Sequence, residues 1–355
     1  MKKVLKIIGI VLGLIIVLAA LMILTLTLTE YKPAEREKAA VQAGSDTRTV
    51  APGAELTVLG WNVGYGALGD NADFFMDGGS MVQTAERERV AANLSGIRQV
   101  IAEEQPDLCF LQEVDLDSDR SWHIDETGEL RQAMPGAASV FASNYKVLYV
   151  PYPLPPIGHV DSGLLTLSGL TVESAERFQL PCPFSWPVRL GQLKRCLLVS
   201  RIPLEGTDRE LVAVNFHLEA YDDGSGKAAQ TKALADFLRA EADKGNYVIA
   251  GGDFNQVIAG ADPAYLTAKP GLWVPGVLEA DAFGEGLTPL MPENGPTCRS
   301  LDKPLAGADQ NSFQFYLIDG FIVSANVRVE SLERLDKGFV CSDHNPVRMT
   351  FTLRP

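Results

Sequence analysis

The sequence predicts an α/β domain that follows one membrane-spanning helix at the amino terminus. Three observations support this fold class. Residues 7–29 form an uncharged apolar run, strand-like apolar runs alternate with helical patterns between residues 55 and 253, and 46% of the 355 residues are hydrophobic. A chain of this length and composition has enough apolar surface for a large core, arranged as one big domain or two ordinary ones.

Residues 1–29 are expected to be a transmembrane signal anchor, because the apolar run reaches the ~20 residues that cross a hydrocarbon core. Lys2, Lys3 and Lys6 precede this run and Glu30 follows it. That asymmetry predicts a single-pass protein of the cell membrane, with a cytoplasmic amino terminus and an extracytoplasmic catalytic domain. A cleaved signal peptide is the alternative, but the run exceeds a ~7–15 residue signal core and no small-x-small site closes it.

The segment after the anchor, 30–54, mixes charges with Ala, Ser and Thr without an apolar period. It predicts a stalk, followed by one folded domain over 55–355. Residues 55–61 predict a first strand that ends at Asn62. The apolar residues at 90, 94, 97 and 101 predict a helix ending near Glu104, since Pro106 bars its continuation. Residues 107–114 then predict a buried strand that ends in Gln112 and Glu113.

Further strands are predicted along the rest of the domain, at 147–150, 163–167, 195–200, 211–216, 247–250, 316–323 and 347–353. A second helix is expected from near Lys227 to just before Gly245, because glycine commonly ends helices. Two proline-rich loops, 151–156 and 180–187, are either substrate contacts or rigid covers over the core. The weakly patterned stretch 263–311 is expected to be an excursion that faces the substrate.

Charge and cysteine content restrict the function classes. The net charge of -14 disfavours a generic surface for polyanions, although a local basic groove is still allowed. The five cysteines have no zinc-type spacing, and their odd number leaves at least one thiol unpaired. Cys182 and Cys196 could close a short loop, which sequence alone does not establish, and Cys109 is expected to be buried.

Polar residues follow or end the apolar runs at eight positions. They are Asn62, Glu113, His217, Asp253, Asn255, Asp319, Asp343 and His344. Because ligand sites of α/β sheets assemble at the carboxyl ends of strands, we expect these side chains to meet around a cation. Asp253 and Asn255 lie two residues apart after Gly251-Gly252, so in extended chain they point the same way; an Asx turn is the alternative.

Singly these residues are weak signals, but their order along the chain is specific. The motifs are Trp61-Asn62, Gln112-Glu113, Asn215-Phe216-His217-Leu218, Gly252-Asp253-Phe254-Asn255, Ile318-Asp319 and Ser342-Asp343-His344-Asn345-Pro346-Val347. Over roughly 55–353 the chain resembles the endonuclease/exonuclease/phosphatase superfamily, which includes deoxyribonuclease I-like nucleases and neutral sphingomyelinases. This resemblance implies a four-layer sandwich of two mainly antiparallel sheets flanked by helices. The strand-helix alternation alone suggests a parallel sheet.

The resemblance also implies a metal site. Glu113 would hold a divalent cation, usually Mg²⁺ with Mn²⁺ or Ca²⁺ as alternatives, and Asn62 and Asp343 would lie in the same cluster. These oxygen donors suit a hard cation. The family's chemistry is hydrolysis of a phosphoester by an activated water.

The catalytic roles follow in the same way. The resemblance implies that Asp253 orients or deprotonates the attacking water and that Asn255 hydrogen-bonds the scissile phosphate. His344, held by Asp319, would act as a general acid/base or as a donor to a phosphoryl oxygen. His217 would stabilise the same developing charge from the other side. An aspartate beside an imidazole raises the pKa of that histidine, which favours its charged form near neutral pH.

The substrate is left open by these motifs. Arg120 and Asn215 are candidate substrate-binding residues, and a solvated surface position is the alternative for Arg120. Three functions are considered: a nuclease acting on DNA or RNA, a phosphodiesterase or phosphatase for lipids or small phosphoesters, and, ranked lowest, a non-catalytic surface binding module. The anchor and the acidic charge favour the second over the first. The expected partners are the phosphoester substrate and the membrane, with no protein partner inferred.

Overall fold

A computed structural model describes residues 1–260, 269–279 and 281–355. The helices in these residues are α1 Lys2–Leu28, α2 Arg87–Glu104, α3 Glu126–Arg131 and α4 Ser225–Ala242. The strands are β1 Arg36–Ala39, β2 Val41–Gln42, β3 Glu55–Asn62, β4 Leu108–Asp115, β5 Ala138–Val150, β6 Gly158–Ser168, β7 Ser174–Gln179, β8 Cys196–Pro203, β9 Glu210–His217, β10 Tyr247–Asp253, β11 Gln256–Ile258, β12 Gly276–Leu278, β13 Leu287–Leu290, β14 Cys298–Arg299, β15 Phe315–Tyr316, β16 Asp319–Ser324, β17 Val327–Arg334 and β18 Val347–Leu353.

Two large sheets face each other, which confirms the expected sandwich. Across the described residues the first sheet has the order β1-β7-β8-β9-β10-β16-β13, and the second has the order β17-β18-β3-β4-β6-β5-β2. The inner faces meet in an apolar core that includes Phe110 from the second sheet and Phe321 from the first. Helix α2 covers the outer face of the second sheet and α4 covers that of the first. The order of layers is therefore helix, sheet, sheet, helix.

The alternation of strands and helices in the sequence reflects two local units. Strands β3 and β4 are parallel and are joined by α2, and strands β9 and β10 are parallel and are joined by α4. The other pairings within the two large sheets are antiparallel among the residues described. A parallel pair needs a crossover connection, so each helix accounts for one such pair and no more.

Strand alternation explains why the core is apolar over most of its length and polar at one end. In β10 the inward positions are Tyr247, Ile249, Gly251 and Asp253, so apolar residues lead to a carboxylate at the strand's carboxyl end. The inward positions of β3 likewise end in Asn62, and those of β9 end in Asn215 and His217. Since residues two apart share a face, one end of the sandwich interior is polar.

The expected stalk over 30–54 is wrong for its middle part. Strand β1 pairs with β7 at the edge of the first sheet, and β2 pairs with β5 at the edge of the second. Val50 is buried in the central core. Edge strands of this kind have one neighbour and bury little surface, so they leave no apolar period in the sequence. The folded part of the chain therefore begins before residue 55.

Other sequence predictions differ in extent. Strand β5 is longer than the predicted 147–150, and the predicted strand 316–323 is divided between β15 and β16. Strand β17 was not predicted because its side chains are mostly exposed or half-buried. The stretch 263–311 contributes strands β12, β13 and β14, with 263–268 and residue 280 outside the described residues. Cys182 and Cys196 are free thiols.

Helix α1 is long and apolar enough to cross a membrane. Its side chains are exposed along nearly the whole length, and burial is reached at Leu26 near its carboxyl end. A signal sequence near the amino terminus also passes this test of helix length and hydropathy.

Gly252 provides a test of the sheet geometry beside the polar end. A Cβ atom at this position would lie 1.9 Å from the carbonyl oxygen of Phe216, and the backbone φ is +152°. We expect Gly252→Ala to lower the free energy of unfolding by at least ~1–3 kcal/mol, because the neighbouring strand must move. Gly191→Ala is the control, since its Cβ would meet none of the described atoms within 4 Å. Equal denaturant midpoints for the two variants would contradict this expectation.

Candidate active site

The polar end of the sandwich opens into a cavity of about 530 Å³. Seven of the predicted site residues line it: Glu113, Arg120, His217, Asp253, Asn255, Asp343 and His344. Asn62 and Asp319 contact members of this group directly, through Asp253 and His344 respectively. Side chains from positions 62 to 344 therefore converge on one cavity, as the sequence predicts.

Asn62 connects two of the carboxylates. Its amide nitrogen Nδ2 lies 3.0 Å from Oε1 of Glu113 and 3.1 Å from Oδ2 of Asp253. Its Oδ1 accepts a hydrogen bond from the backbone N–H of Gly64 at 3.1 Å. In this arrangement Asn62 orients the two carboxylates as a hydrogen-bond donor, and its place in the metal cluster stays a prediction.

Asp253 and Asn255 form the Asx turn, which was the alternative to extended chain at this position. The backbone N–H of Asn255 donates to Oδ1 of Asp253 at 2.8 Å, which is an Asx-type turn, and Asn255 has a φ of +49°. Its Nδ2 donates to the carbonyl of Leu218 at 2.9 Å. The turn keeps both residues in the cavity wall. Burial and the neighbouring Asp319 raise the pKa of Asp253 above its ordinary value, although His344 opposes this shift.

His344 and Asp319 form a buried pair, with Nδ1 of the ring 2.9 Å from Oδ2 of Asp319. Burial alone would lower the pKa of His344, but Asp319 together with Cys298 and Asp343 raises it well above its ordinary value. The imidazole is therefore charged near neutral pH. Its Nε2 faces the interior of the cavity, 3.8 Å from Oδ2 of Asp253 and 3.9 Å from Oδ2 of Asp343.

His217 lies on the opposite side of Asp253 and has the opposite electrostatic state. Its Nε2 is 3.5 Å from Oδ2 of Asp253, and its Nδ1 is 4.0 Å from Oε1 of Glu113. Burial, reinforced by Arg195 and His344, lowers the pKa of His217 well below its ordinary value. The lowered pKa favours the neutral ring, which can act as a hydrogen-bonding group.

The donor chemistry of the cavity fits a divalent cation. Donor atoms lie within 4.8 Å of one another in two clusters, one of Asp253, Asp319 and His344, and one of Cys298, Asp343 and His344. Because the charged ring of His344 cannot bind a cation, the carboxylates of Asp253, Asp319 and Asp343 are the hard donors in these clusters. Burial, opposed by His344 and reinforced by Glu113, raises the pKa of Asp343 to about 6. A cation bound here would relieve this repulsion and favour the ionised carboxylates. Carboxylate oxygens are the ligands that Mg²⁺, Mn²⁺ and Ca²⁺ prefer.

Asn215, a predicted substrate-binding residue, is a structural residue instead. Its Nδ2 donates to the carbonyls of Leu111 at 3.1 Å and Leu165 at 3.0 Å. Its Oδ1 accepts from Nε2 of Gln112 at 2.8 Å. The side chain is fully buried and joins the two sheets. It lies two residues before His217 on the same inward face of β9, one step deeper in the core, and it does not line the cavity.

Arg120 lines the cavity, but its guanidinium is held by protein groups. It forms two hydrogen bonds to the carboxylate of Asp115, at 3.1 Å and 2.9 Å. It also stacks over the ring of Tyr65, with 3.7 Å between Cζ and the ring centroid. The solvated surface position considered for Arg120 is therefore wrong, and a phosphate contact stays a prediction.

Several lining residues were not identified from the sequence. They are Tyr65, Asp77, Tyr221, Trp273, Cys298 and Arg299. Tyr221 donates from its hydroxyl to Asp77 at 3.0 Å across the cavity. Cys298 pairs with His344 through an isolated β-bridge. Cys298 and Arg299 form the two-residue strand β14, and the other four lie in short turns or loops, so no apolar periodicity in the sequence marks any of them.

Comparisons with known proteins agree with this arrangement. The profile of the Endonuclease/Exonuclease/phosphatase family matches residues 59–344. Similar structures include an endonuclease/exonuclease/phosphatase from Beutenbergia cavernae DSM 12333, with a TM-score of 0.58 and 19% identity over 84% of this chain and 72% of that chain. Another from Bacteroides vulgatus has a TM-score of 0.53 and 14% identity over 85% of this chain and 100% of that chain.

A third similar structure is TDP2 from D. rerio complexed with single strand DNA product. It has a TM-score of 0.51 and 17% identity over 84% of this chain and 99% of that chain. At these identities the structures show a shared fold. No curated protein sequence matches the chain.

The structural role of Asn215 can be tested by replacing it with leucine. We expect Asn215→Leu to lower the free energy of unfolding by ~1–3 kcal/mol or more, because it removes one hydrogen-bond partner from the buried amide of Gln112 and from each of two carbonyls. The matched control is Asn311→Leu, since Asn311 is exposed. Denaturant unfolding measures both variants. A fully stable Asn215→Leu protein would show that the two sheets do not depend on this side chain.

Proposed function

The chain belongs to the endonuclease/exonuclease/phosphatase family, and on that premise we propose that it is a divalent-metal-dependent hydrolase of phosphoesters. Family membership supports a phosphoester hydrolase. The observation that carries the proposal is the convergence of Asp253, Glu113 and the His344–Asp319 pair on a single cavity. These groups lie around a space large enough for a phosphate and an attacking water.

The proposed reaction is an in-line displacement at phosphorus. A water oxygen forms a new P–O bond while the P–O bond to the leaving alcohol breaks. Asp253 orients this water and accepts its proton, a role that suits a carboxyl group whose raised pKa brings it nearer to neutral pH. The leaving alkoxide takes a proton from solvent water, and protonated Asp253 afterwards releases its proton to solvent, so charge and atoms balance. Asn62 fixes Asp253 by a hydrogen bond to the second carboxylate oxygen.

Charge on the phosphoryl oxygens is stabilised by donors that are already in place. His344 is charged and its Nε2 faces Asp253, so it is aimed at the position of the phosphoryl group. The neutral ring of His217 and the amide of Asn255 provide further hydrogen bonds from the wall. Because Asp319 holds the other nitrogen of His344, this donor needs no reorganisation during the reaction.

We propose that Glu113 and Asp343 hold the metal, with Mg²⁺ as the first choice and Mn²⁺ or Ca²⁺ as alternatives. Both carboxylates line the cavity, and Asn62 connects Glu113 to Asp253. When bound, the cation supplies positive charge to the phosphoryl oxygens. Asn62 contributes by orienting carboxylates.

Two substrate classes follow from this chemistry, and a non-catalytic binding module ranks last because the reactive side chains meet in one cavity. A nuclease is one candidate, in line with the single strand DNA product named for the similar TDP2 structure. A lipid or small-molecule phosphodiesterase is the other. The net charge of -14 favours the second, because nucleic-acid surfaces are usually basic.

We also propose that α1 is retained as a membrane anchor, with a cytoplasmic amino terminus and an extracytoplasmic domain. Leu26 is buried against Tyr145 and Val150 of the domain. Glu30 forms ion pairs with Arg189 at 3.1 Å and Lys194 at 3.3 Å. Cleavage of α1 would remove the contact of Leu26 with the domain. Cleavage after residue 30 would also remove Glu30, the ion-pair partner of Arg189 and Lys194.

The catalytic proposal predicts strong effects at two positions. We expect Asp253→Asn and His344→Ala to lower kcat for bis-p-nitrophenyl phosphate with Mg²⁺ by at least ~10²- to 10³-fold, because each removes a preorganised group. EDTA should abolish the wild-type rate and added Mg²⁺ should restore it. Asp208→Asn and His123→Ala are matched controls at exposed positions. Wild-type activity in folded Asp253→Asn would refute the assigned base.

The anchor proposal is tested on protein extracted from cell membranes. We expect the intact mass to include residues 1–30, because those residues hold contacts with the folded domain. Protease added to intact spheroplasts should digest the domain and spare the amino terminus. A mature chain that starts beyond α1 would show that the helix is a cleaved signal.

A further inference from the structure

The carboxyl end of α1 is joined to the domain beside the cavity. Leu26, with Ile23, packs in a cluster that contains Tyr145, Val147, Val150, Val160 and Leu190. Oγ1 of Thr27 accepts a hydrogen bond from Nε1 of Trp186 at 3.1 Å. The position of α1 therefore fixes which face of the domain lies next to the bilayer.

Exposed apolar side chains are concentrated on the two segments that hold the end of α1. We call this group the apolar rim; it consists of Leu148, Tyr149, Tyr152, Leu154, Trp186 and Val188. The first four lie at the end of β5 and in its connection to β6, and the last two lie between β7 and β8. Leu154 is 89% exposed and Tyr152 is 69% exposed. Large apolar side chains at such exposure mark a contact surface when they cluster.

The length of α1 places this rim at the surface of the membrane. Its 27 residues rise to ~40 Å at ~1.5 Å per residue. A hydrocarbon core of ~30 Å uses most of that length, so the bilayer boundary lies close to the end of the helix. Trp186 is bonded to Thr27 in the last turn. Tryptophan and tyrosine are enriched at this depth, where a ring meets both lipid and water.

The wall between α1 and the cavity is one layer of side chains. Tyr145, Val150, Ile157 and Leu193 belong to the cluster that holds α1, and the same four residues line the cavity. Tyr152 of the rim also lines the cavity, and its ring lies 6.0 Å from that of Phe75 on the facing wall. The cavity and the membrane-facing surface therefore share residues.

From this placement we propose that the apolar rim docks on the headgroup layer of the bilayer that α1 crosses, so that the cavity receives the phosphodiester of a membrane lipid. The substrate part of this inference rests on the proposed hydrolase. The docking part depends on the position of the rim alone. The acidic net charge of -14 fits this occupant better than nucleic acid, which requires a basic footprint.

Lipid docking is measured by the fluorescence of Trp186 in the full chain. The protein is reconstituted into nanodiscs of phosphatidylcholine with plain or brominated acyl chains, because bromine quenches tryptophan only at close range. We expect bromination to quench the wild type and Trp122→Phe, and to quench Trp186→Phe clearly less. Trp122 is a matched control because it is partly exposed and bonded to Ala85, away from α1. Equal quenching of all three proteins, or no quenching, would overturn the docking.

Substrate access is measured with a charge placed on the rim. Leu154→Glu is compared with Val277→Glu, which also replaces an exposed aliphatic residue. In proteoliposomes containing sphingomyelin and phosphatidylglycerol, we expect Leu154→Glu to lower lipid hydrolysis roughly tenfold or more, because the apolar contact between Leu154 and the docked bilayer is lost. Its rate on soluble bis-p-nitrophenyl phosphate should be unchanged, and Val277→Glu should alter neither rate.

The outcomes separate the two proposals. A wild type that hydrolyses the soluble diester but neither lipid, or a Leu154→Glu variant with a normal lipid rate, would overturn the inferred substrate while the hydrolase stands. A wild type without metal-dependent activity on any phosphodiester would overturn the hydrolase, and the substrate inference with it. Fluorescence quenching would then still decide whether the rim docks on lipid.

Discussion

The repulsion among carboxylates at one end of the sandwich is the constraint on which the site depends. Strand alternation brings Asp253 to the inner face, and Asp319 lies directly opposite it on the paired strand β16. Burial removes water that would screen such groups, so their charges need partners. His344 supplies one positive partner through Asp319, and Asn62 supplies hydrogen bonds to Asp253 and Glu113. The remaining negative charge makes the cavity a favourable place for a cation.

The same constraint explains how two histidines in one cavity differ. His344 has a carboxylate on Nδ1 at hydrogen-bond distance, whereas the carboxylates nearest to His217 lie 3.5 Å and 4.0 Å away. Arg195 donates to the backbone carbonyl of His217, which adds positive charge beside that ring. Burial therefore determines the state of His217, and Asp319 determines that of His344. A charged donor and a neutral donor can then act on the same phosphoryl group from two sides.

The sequence predicted the elements whose pattern is strong and missed those whose role depends on neighbours. Strand β18 begins and ends where expected, and α2 ends at Glu104 as Pro106 requires. Edge strand β1 and the exposed strand β17 carry no apolar period, so only pairing reveals them. The site residues were identified by motif order, but the function of Asn215 was not. The sequence pattern of an inward-facing asparagine is the same whether its side chain lines the cavity or lies one step deeper in the core. Only the register of the two sheets distinguishes these two positions.

An anchor in the same chain changes how much the small apolar rim must contribute to binding of the bilayer. For a free domain, the few exposed side chains around Leu154 would have to offset the entropy of association with a bilayer. With α1 retained in the membrane, as proposed above, docking is an intramolecular event with a high effective concentration. A small rim is then sufficient to orient the domain without trapping it. Since Tyr152 belongs both to this rim and to the cavity wall, orientation of the domain and access to the site are coupled through one side chain.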